Sequence, residues 1–377
     1  MHLDAGLGPG GDGSGCGEVD VVGVRDDCQY SLDFAVGTGI GCWNAHVIDL
    51  TCLTLHSGGV EFGGECEPLE VGLDAARLRT AIEQVQTRRG AAQLCVIRDG
   101  RVVVDRWFGC EPDALFWLFS ASRPYVAILV HQLVESGVLH LDDEVAAYWP
   151  AFAGEGKDGV TVRDVLRNQT SAVGAPRADA RVMTDWAKSL RRIEEAPLRY
   201  PLSSLAFGFI LAELVQRITR HPIQVVLQEA ALRPLGVTDT HLGLPPELWG
   251  RQVPVKGSRL VNRRSTREAV VPGEGVSATA RDLAALYQML LNNGIGTAGR
   301  VLRPESVAAA VTPTSDPAFG QLRSPRVFGH NGSNCCVGWA DPERQLAYAY
   351  LTDRLGRGPA EQAHHAAVAD RILAAAG

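Results

Sequence analysis

Lysine is almost missing from this chain. Of its 36 basic residues only Lys157, Lys188 and Lys256 are lysines. A guanidinium stays protonated in proteins, whereas a desolvated ammonium can give up its proton, so chemistry that needs a neutral amine has few candidates here. Missing too is any uninterrupted apolar run of about 18 residues, which argues against a membrane-spanning helix. The formal net charge of −7 is spread along the sequence, with no basic run and no basic–aromatic stripe, so nucleic acid is not an expected partner. The start, "MHLDAGLGPGGDGSG", has neither a basic n-region nor an apolar h-region, so no secretory leader and a cytoplasmic location are expected. No cysteine–histidine spacing suits zinc. The glycine-rich "GPGGDGSG" has neither strand nor helix around it and does not read as a phosphate loop; no metal or other cofactor is expected. The nine cysteines are an odd number, and Cys335 and Cys336 are adjacent, a pattern read as reduced thiols rather than a disulfide framework.

What is present is a globular composition, 46% hydrophobic and 21% charged, in 377 residues. That length buries a large core, as one domain or two intimate lobes. Residues 1–65 stand apart: they are glycine-rich, hold Cys16, Cys28, Cys42 and Cys52, and have no sustained period. They read as a weakly ordered extension or a misassigned start of translation. Helical spacing begins in 74–90, with Leu78, Ile82 and Val85 on one face. Two apolar runs then flank Asp99-Gly100, which predicts a hairpin. The spacing predicts further helices over 120–136, 207–219 and 278–294, with Pro124 in a first turn and Gly294 ending the last. Thr161 and Asp164 form a capping-box pattern. "RVFGHNG", "CCVGWA" and "QLAYAYLT" read as strands, the last two around the turn "DPER", and "AEQAHHAAVADRILAAA" as a closing helix. Strands, a long helical insertion, strands and a helix imply one sheet completed by both ends of the chain, with a helical lobe between them.

Ser120 opens the helix predicted over 120–136. Free N–H groups and the positive end of the dipole at that place favour an alkoxide or oxyanion, although serine is also a common N-cap. Alternation along a strand puts one of Cys335 and Cys336 on each face, and buried cysteine acts as a small hydrophobe. His364 and His365, adjacent on a helix, face different directions and are no natural ligand pair.

"SASRPYVAILVHQLVESGVLHLDDEVAAYWPAF" resembles the active-site segment of the serine β-lactamase and penicillin-binding-protein superfamily, most nearly the class C β-lactamases and related carboxylesterases. Ser120, Gly137, Leu139, Leu141, Asp142 and Asp143 match its S-x-x-K…G-x-L-x-L-D-D pattern, apart from the lysine. "GKDGVTVRDVL", "FGFILAELVQRIT", "LRPLGVTDTHLGLPPE", "GVSATARDLAALYQMLLNNG" and "FGHNGSNCCVGWADP" are similar too, so the resemblance covers roughly residues 70–377. It implies an α+β, β-lactamase/transpeptidase-like fold, with an antiparallel sheet flanked by N- and C-terminal helices. The α/β lobe is expected at about 70–115 and 300–377 and the helical lobe at about 116–299, in a domain spanning 66–377.

The resemblance also implies a site with altered catalytic positions. The family lysine, which helps deprotonate the serine, is Arg123, which cannot be a base but can hold an anion or steady an alkoxide. The family tyrosine position falls on Leu202; Tyr200 is two residues early, and is either a packed aromatic or a substitute after a loop shift. The family loop H-x-x-G-L begins here at Asn168. His330-Asn331-Gly332 fits the esterase form H-x-G, with His330 either structural or catalytic, and Asn331 and Gly332 lining the substrate. The backbone N–H groups of Ser120 and Ser333 are the implied oxyanion hole.

Two functions follow. One is a serine-dependent esterase or transacylase acting on a small-molecule ester or amide through a Ser120 acyl-enzyme, with non-standard proton transfer. The other is a repurposed or catalytically silent β-lactamase-like protein that binds a small molecule or performs a non-covalent biosynthetic step. Penicillin hydrolysis is not expected, because deacylation needs a well-placed proton acceptor.

Overall fold

The computed structural model describes residues 63–167, 182–197, 204–356 and 358–377. Asp74 caps the first helix, α1 (Ala75–Thr87), by accepting from the Ala76 and Arg77 amides. Strands β1 (Ala92–Arg98) and β2 (Arg101–Phe108) form the expected hairpin. Asp99 and Gly100 both take positive φ, 50° and 76°, as a two-residue turn that matches strand twist requires.

The main sheet is antiparallel and is completed by the C-terminal strands β6 (Phe328–Gly332), β7 (Cys336–Asp341) and β8 (Leu346–Thr352), in the order β2-β1-β8-β7-β6. The run "AQLCVIR" in β1 is almost continuously apolar because both faces of the sheet are covered. Leu94 and Val96 join one buried cluster with Leu78, Ala81 and Val85 of α1 and Val368, Ile372 and Leu373 of the closing helix α6 (Pro359–Ala375). Cys95 and Ile97 point the other way, into a larger cluster with Leu283 and Leu286 of α5 (Ala280–Leu291). Each fully buried Val, Leu or Ile side chain contributes roughly 1.5–3 kcal/mol relative to exposure.

The central lobe is built around α2 (Arg123–Glu135) and α4 (Ser204–Thr219), with α3 (Trp186–Glu195) laid on α4 through an edge-on contact of Trp186 and Phe209, 5.0 Å between ring centroids. The capping box is reciprocal: the Thr161 amide donates to Asp164 and the Asp164 amide to Thr161.

Three features differ from the sequence expectation. The helix predicted from Ser120 starts at Arg123, because residues Phe119–Ser122 first make a tight 3₁₀ turn as the chain leaves a strand. That strand, β3 (Phe116–Trp117), belongs to a second sheet with β4 (Thr240–Leu242) and β5 (Val276–Ala278), in the order β3-β5-β4. Strands of two and three residues are too short to show an alternation in sequence. Cys335 precedes β7 and so escapes strand alternation; it and Cys336 are both fully buried.

Candidate active site

Ser120 sits where three pieces of backbone converge. The Leu118 amide donates to the Val276 carbonyl (2.9 Å), and the Ser122 hydroxyl accepts from the Val276 amide (3.1 Å), so β5 holds the turn from both sides. Phe119 between them is buried with φ at +52°, a conformation L-residues rarely adopt outside sites that require it. On the opposite flank lies β6. A Cβ added at Gly332 would meet the Leu118 carbonyl oxygen at 2.0 Å, so only glycine lets this strand approach the turn so closely. The Cys336 thiol donates to the Trp117 carbonyl (3.4 Å) and ties β7 to the same segment. Ser122 is fully buried, whereas Ser120 is only half-buried. Ser120 is thus no N-cap; it lies inside the turn, directly before α2.

Arg123 is half-buried on the first turn of α2, with its guanidinium over the Phe207 ring at 4.9 Å. Burial lowers its pKa, and the carboxylate of Glu274 raises it. His330, on β6, has its pKa pushed down from 6.5 to about 4, first by burial and then by the positive charge of Arg123. The imidazole is therefore neutral at physiological pH, and its buried Nδ1 has no hydrogen-bond partner among the described residues. Arg123 on α2 and His330 on β6 are thus close enough for the charge of one to act on the other.

Asn331 points to the other face of β6. Its Oδ1 accepts from the Asn334 amide (2.8 Å), and its Nδ2 donates to Asn334 Oδ1 (2.7 Å), so its amide is engaged in the β6–β7 turn. Ser333 and Asn334 form that turn with φ of 57° and 48°, and Ser333 is exposed. Asn168, Tyr200 and Leu202 lie outside the described residues.

Sequence reasoning passed over Glu274. The loop Val271–Gly275 that carries it leads straight into β5, and the Gly275 amide donates to the Val271 carbonyl (2.6 Å). On its far side this loop touches α4, where a Cβ on Gly208 would meet the Gly273 nitrogen at 2.1 Å. Glu274 was legible as a single carboxylate inside the otherwise uncharged stretch "VVPGEGVSATA". The two adjacent histidines of α6 diverge as expected: His364 meets the Tyr350 hydroxyl (2.9 Å) and His365 the Asn334 carbonyl (3.1 Å). Among the described residues no cluster of three or more His, Cys, Asp or Glu is placed to hold a metal ion. Nor is any helix of these residues long and apolar enough to cross a membrane.

A serine at the head of a helix, beside an antiparallel strand carrying H-x-G, is the arrangement of the serine β-lactamase and penicillin-binding-protein class. The family model described as Beta-lactamase matches residues 78–372, and the chain belongs to that family. It is 27% identical over 334 residues to the esterase/β-lactamase LipL of Mycobacterium tuberculosis, a match covering 71% of this chain and 78% of that protein. Among solved structures, a penicillin-binding-protein homologue from Caulobacter crescentus superposes with a TM-score of 0.67 at 22% identity, covering 84% of this chain and all of the other. A family VIII carboxylesterase gives the same TM-score and identity over 83% of this chain and 100% of its own. The fold is therefore β-lactamase/transpeptidase-like.

Proposed function

We propose that the protein is a serine-dependent acyl-transfer enzyme, an esterase or transacylase acting on a small-molecule ester or amide. The observation that carries this reading is the half-buried Ser120 in a strained turn against the His330 strand, in a chain related to an esterase/β-lactamase. Ser120 Oγ attacks the substrate carbonyl. As the C–O bond forms, the hydroxyl proton passes to the neutral His330 imidazole, directly or through one water. The carbonyl oxygen takes the negative charge and is held by the Ser120 and Ser333 N–H groups. Collapse expels the alcohol or amine, which takes the proton back from His330 and leaves the acyl group on Ser120. Water or an acceptor alcohol then repeats the sequence in reverse order. Arg123 supplies fixed positive charge beside the nucleophile, and Glu274 compensates it. The family resemblance assigns substrate binding to Asn168, Tyr200 and Leu202; of its two β6 positions, Gly332 is the one packed against the Ser120 turn, while the Asn331 amide is engaged with Asn334.

The test is covalent labelling. A fluorophosphonate probe, or p-nitrophenyl acetate followed by intact mass, is expected to add one acyl or phosphonyl group to the wild type and none to Ser120→Ala. A wild type that stays unlabelled overturns the reading. One observation favours a second reading, the binding or non-covalent role: Arg123 stands where a lysine base is expected and also depresses the basicity of His330. Failure to label would favour that reading.

A further inference from the structure

The β6–β7 turn is held by more bonds than a hairpin of its length needs, and one of them comes from the C-terminal helix. Ser333 and Asn334 are consecutive non-glycine residues with positive φ. The left-handed conformation is unfavourable for an L-residue, less so for asparagine, so the turn gains from outside restraint. The Gly356 amide donates to the Ser333 carbonyl (3.0 Å), and the Asn331 side chain grips both the amide and the side chain of Asn334. His365 Nε2 lies 3.1 Å from the Asn334 carbonyl. A carbonyl only accepts, so Nε2 carries the proton and donates. These bonds occupy both turn carbonyls and the Asn334 amide; the Ser333 N–H is in none of them.

His365 is unusual for a structural tie. It is fully buried, and its Nδ1 has no partner among the described residues, an arrangement that a leucine of similar size would avoid. Tyr350 packs its ring 4.8 Å from the imidazole and engages the neighbouring His364 through its hydroxyl.

We infer that His365 is a positioning residue for acyl transfer: from the C-terminal helix it locks the Ser333–Asn334 turn so that the Ser333 N–H is presented to the oxyanion formed at Ser120. The inference rests on the acyl-transfer reading above. Oxyanion donors must lie about 2.7–3.1 Å from the charged oxygen, and an error of about 1 Å in a catalytic group costs on the order of 10² in rate. His365→Leu keeps the bulk and removes the donor. It is expected to lower kcat for a p-nitrophenyl ester roughly 10- to 100-fold, with KM changed less than about 3-fold. His365→Gln places an amide N–H at nearly the reach of Nε2 and is expected to restore kcat to within about 3-fold of wild type. A purely structural histidine would lower the melting temperature without this split between kcat and KM and without rescue by glutamine.

Should His365→Leu not fold, Asn331→Ala loosens the same turn from the other side and is expected to slow labelling of Ser120 by a fluorophosphonate probe. Unchanged kcat in a folded His365→Leu, or unchanged labelling in Asn331→Ala, overturns the inference while leaving Ser120 the nucleophile. A wild type that never labels overturns both.

Discussion

Arg123 and His330 are chosen against each other, and that conflict is where the chemistry is most exposed to test. In the proposed mechanism the guanidinium steadies an alkoxide on Ser120, yet its charge makes the His330 imidazole a weaker base. With the His330 pKa near 4, kcat/KM for ester hydrolysis is expected to hold from neutral pH down to about pH 4 and to fall below it, as the base becomes protonated. Arg123→Gln removes the charge but not the burial, which is the larger cause. The acid limb should then move up by on the order of one pH unit, short of the full return to 6.5. A limb that stays in place would remove His330 from proton transfer. Gly332 offers a residue-scale test of geometry: Gly332→Ala forces a methyl onto the Leu118 carbonyl, and is expected to destabilise the protein by about 1–3 kcal/mol and to abolish labelling of Ser120. Both residues were visible in the sequence as H-x-G. The opposition of His330 to Arg123 was not, because the two lie on α2 and β6, far apart in sequence, and only packing brings them together.

At the scale of elements, the signals that survived into structure are those that act locally. Asp99-Gly100 formed its hairpin turn between Arg98 and Arg101, and the Thr161–Asp164 box closed on itself, each within two or three residues. Thr161→Ala is accordingly expected to lower stability by about 1 kcal/mol, read as a shift in denaturant midpoint at constant slope. The turn Phe119–Ser122 was not legible. Helical spacing runs through it without interruption, and only the two bonds to Val276, one from the Leu118 amide and one accepted by the Ser122 hydroxyl, show why the chain is tightened there. The small sheet β3-β5-β4 was missed for a related reason: β3 (Phe116, Trp117) pairs with Ala278 and Ser277 of β5 far along the chain, and all three strands are too short to carry a period.

For the whole molecule, buried histidines couple folding to acidity. His330 and His364 are lowered to about 4 and His365 to about 3, all chiefly by burial, so all three are neutral in the folded state at pH 7. Unfolded, they would titrate near 6.5. As pH falls below about 6.5 the unfolded chain binds protons that the folded chain refuses, so stability declines until the folded pKa values near 4 and 3 are passed. Asp282 opposes this, since burial raises its pKa to about 6 and favours the folded state as it protonates, but burial also lowers His131 and His241, which act in the same sense as the other three histidines. A melting temperature that drops steadily between pH 6.5 and 4 is expected, and a flat profile over that range would contradict the burial of these imidazoles. His365→Gln should flatten part of the slope.

The sequence alone determined the hairpins and the helices with clear apolar faces, because each is encoded by short-range periodicity or by residues a few positions apart; the class of fold was legible through the resemblance of many segments, in order, to one family, and that resemblance also singled out Ser120. Only the tertiary structure decided which charges meet. Glu274 beside Arg123, Arg123 against His330, and His365 on the turn after β6 are contacts between distant segments, set by how the two faces of the main sheet are covered. Burial there, not sequence spacing, sets which of these groups holds a proton.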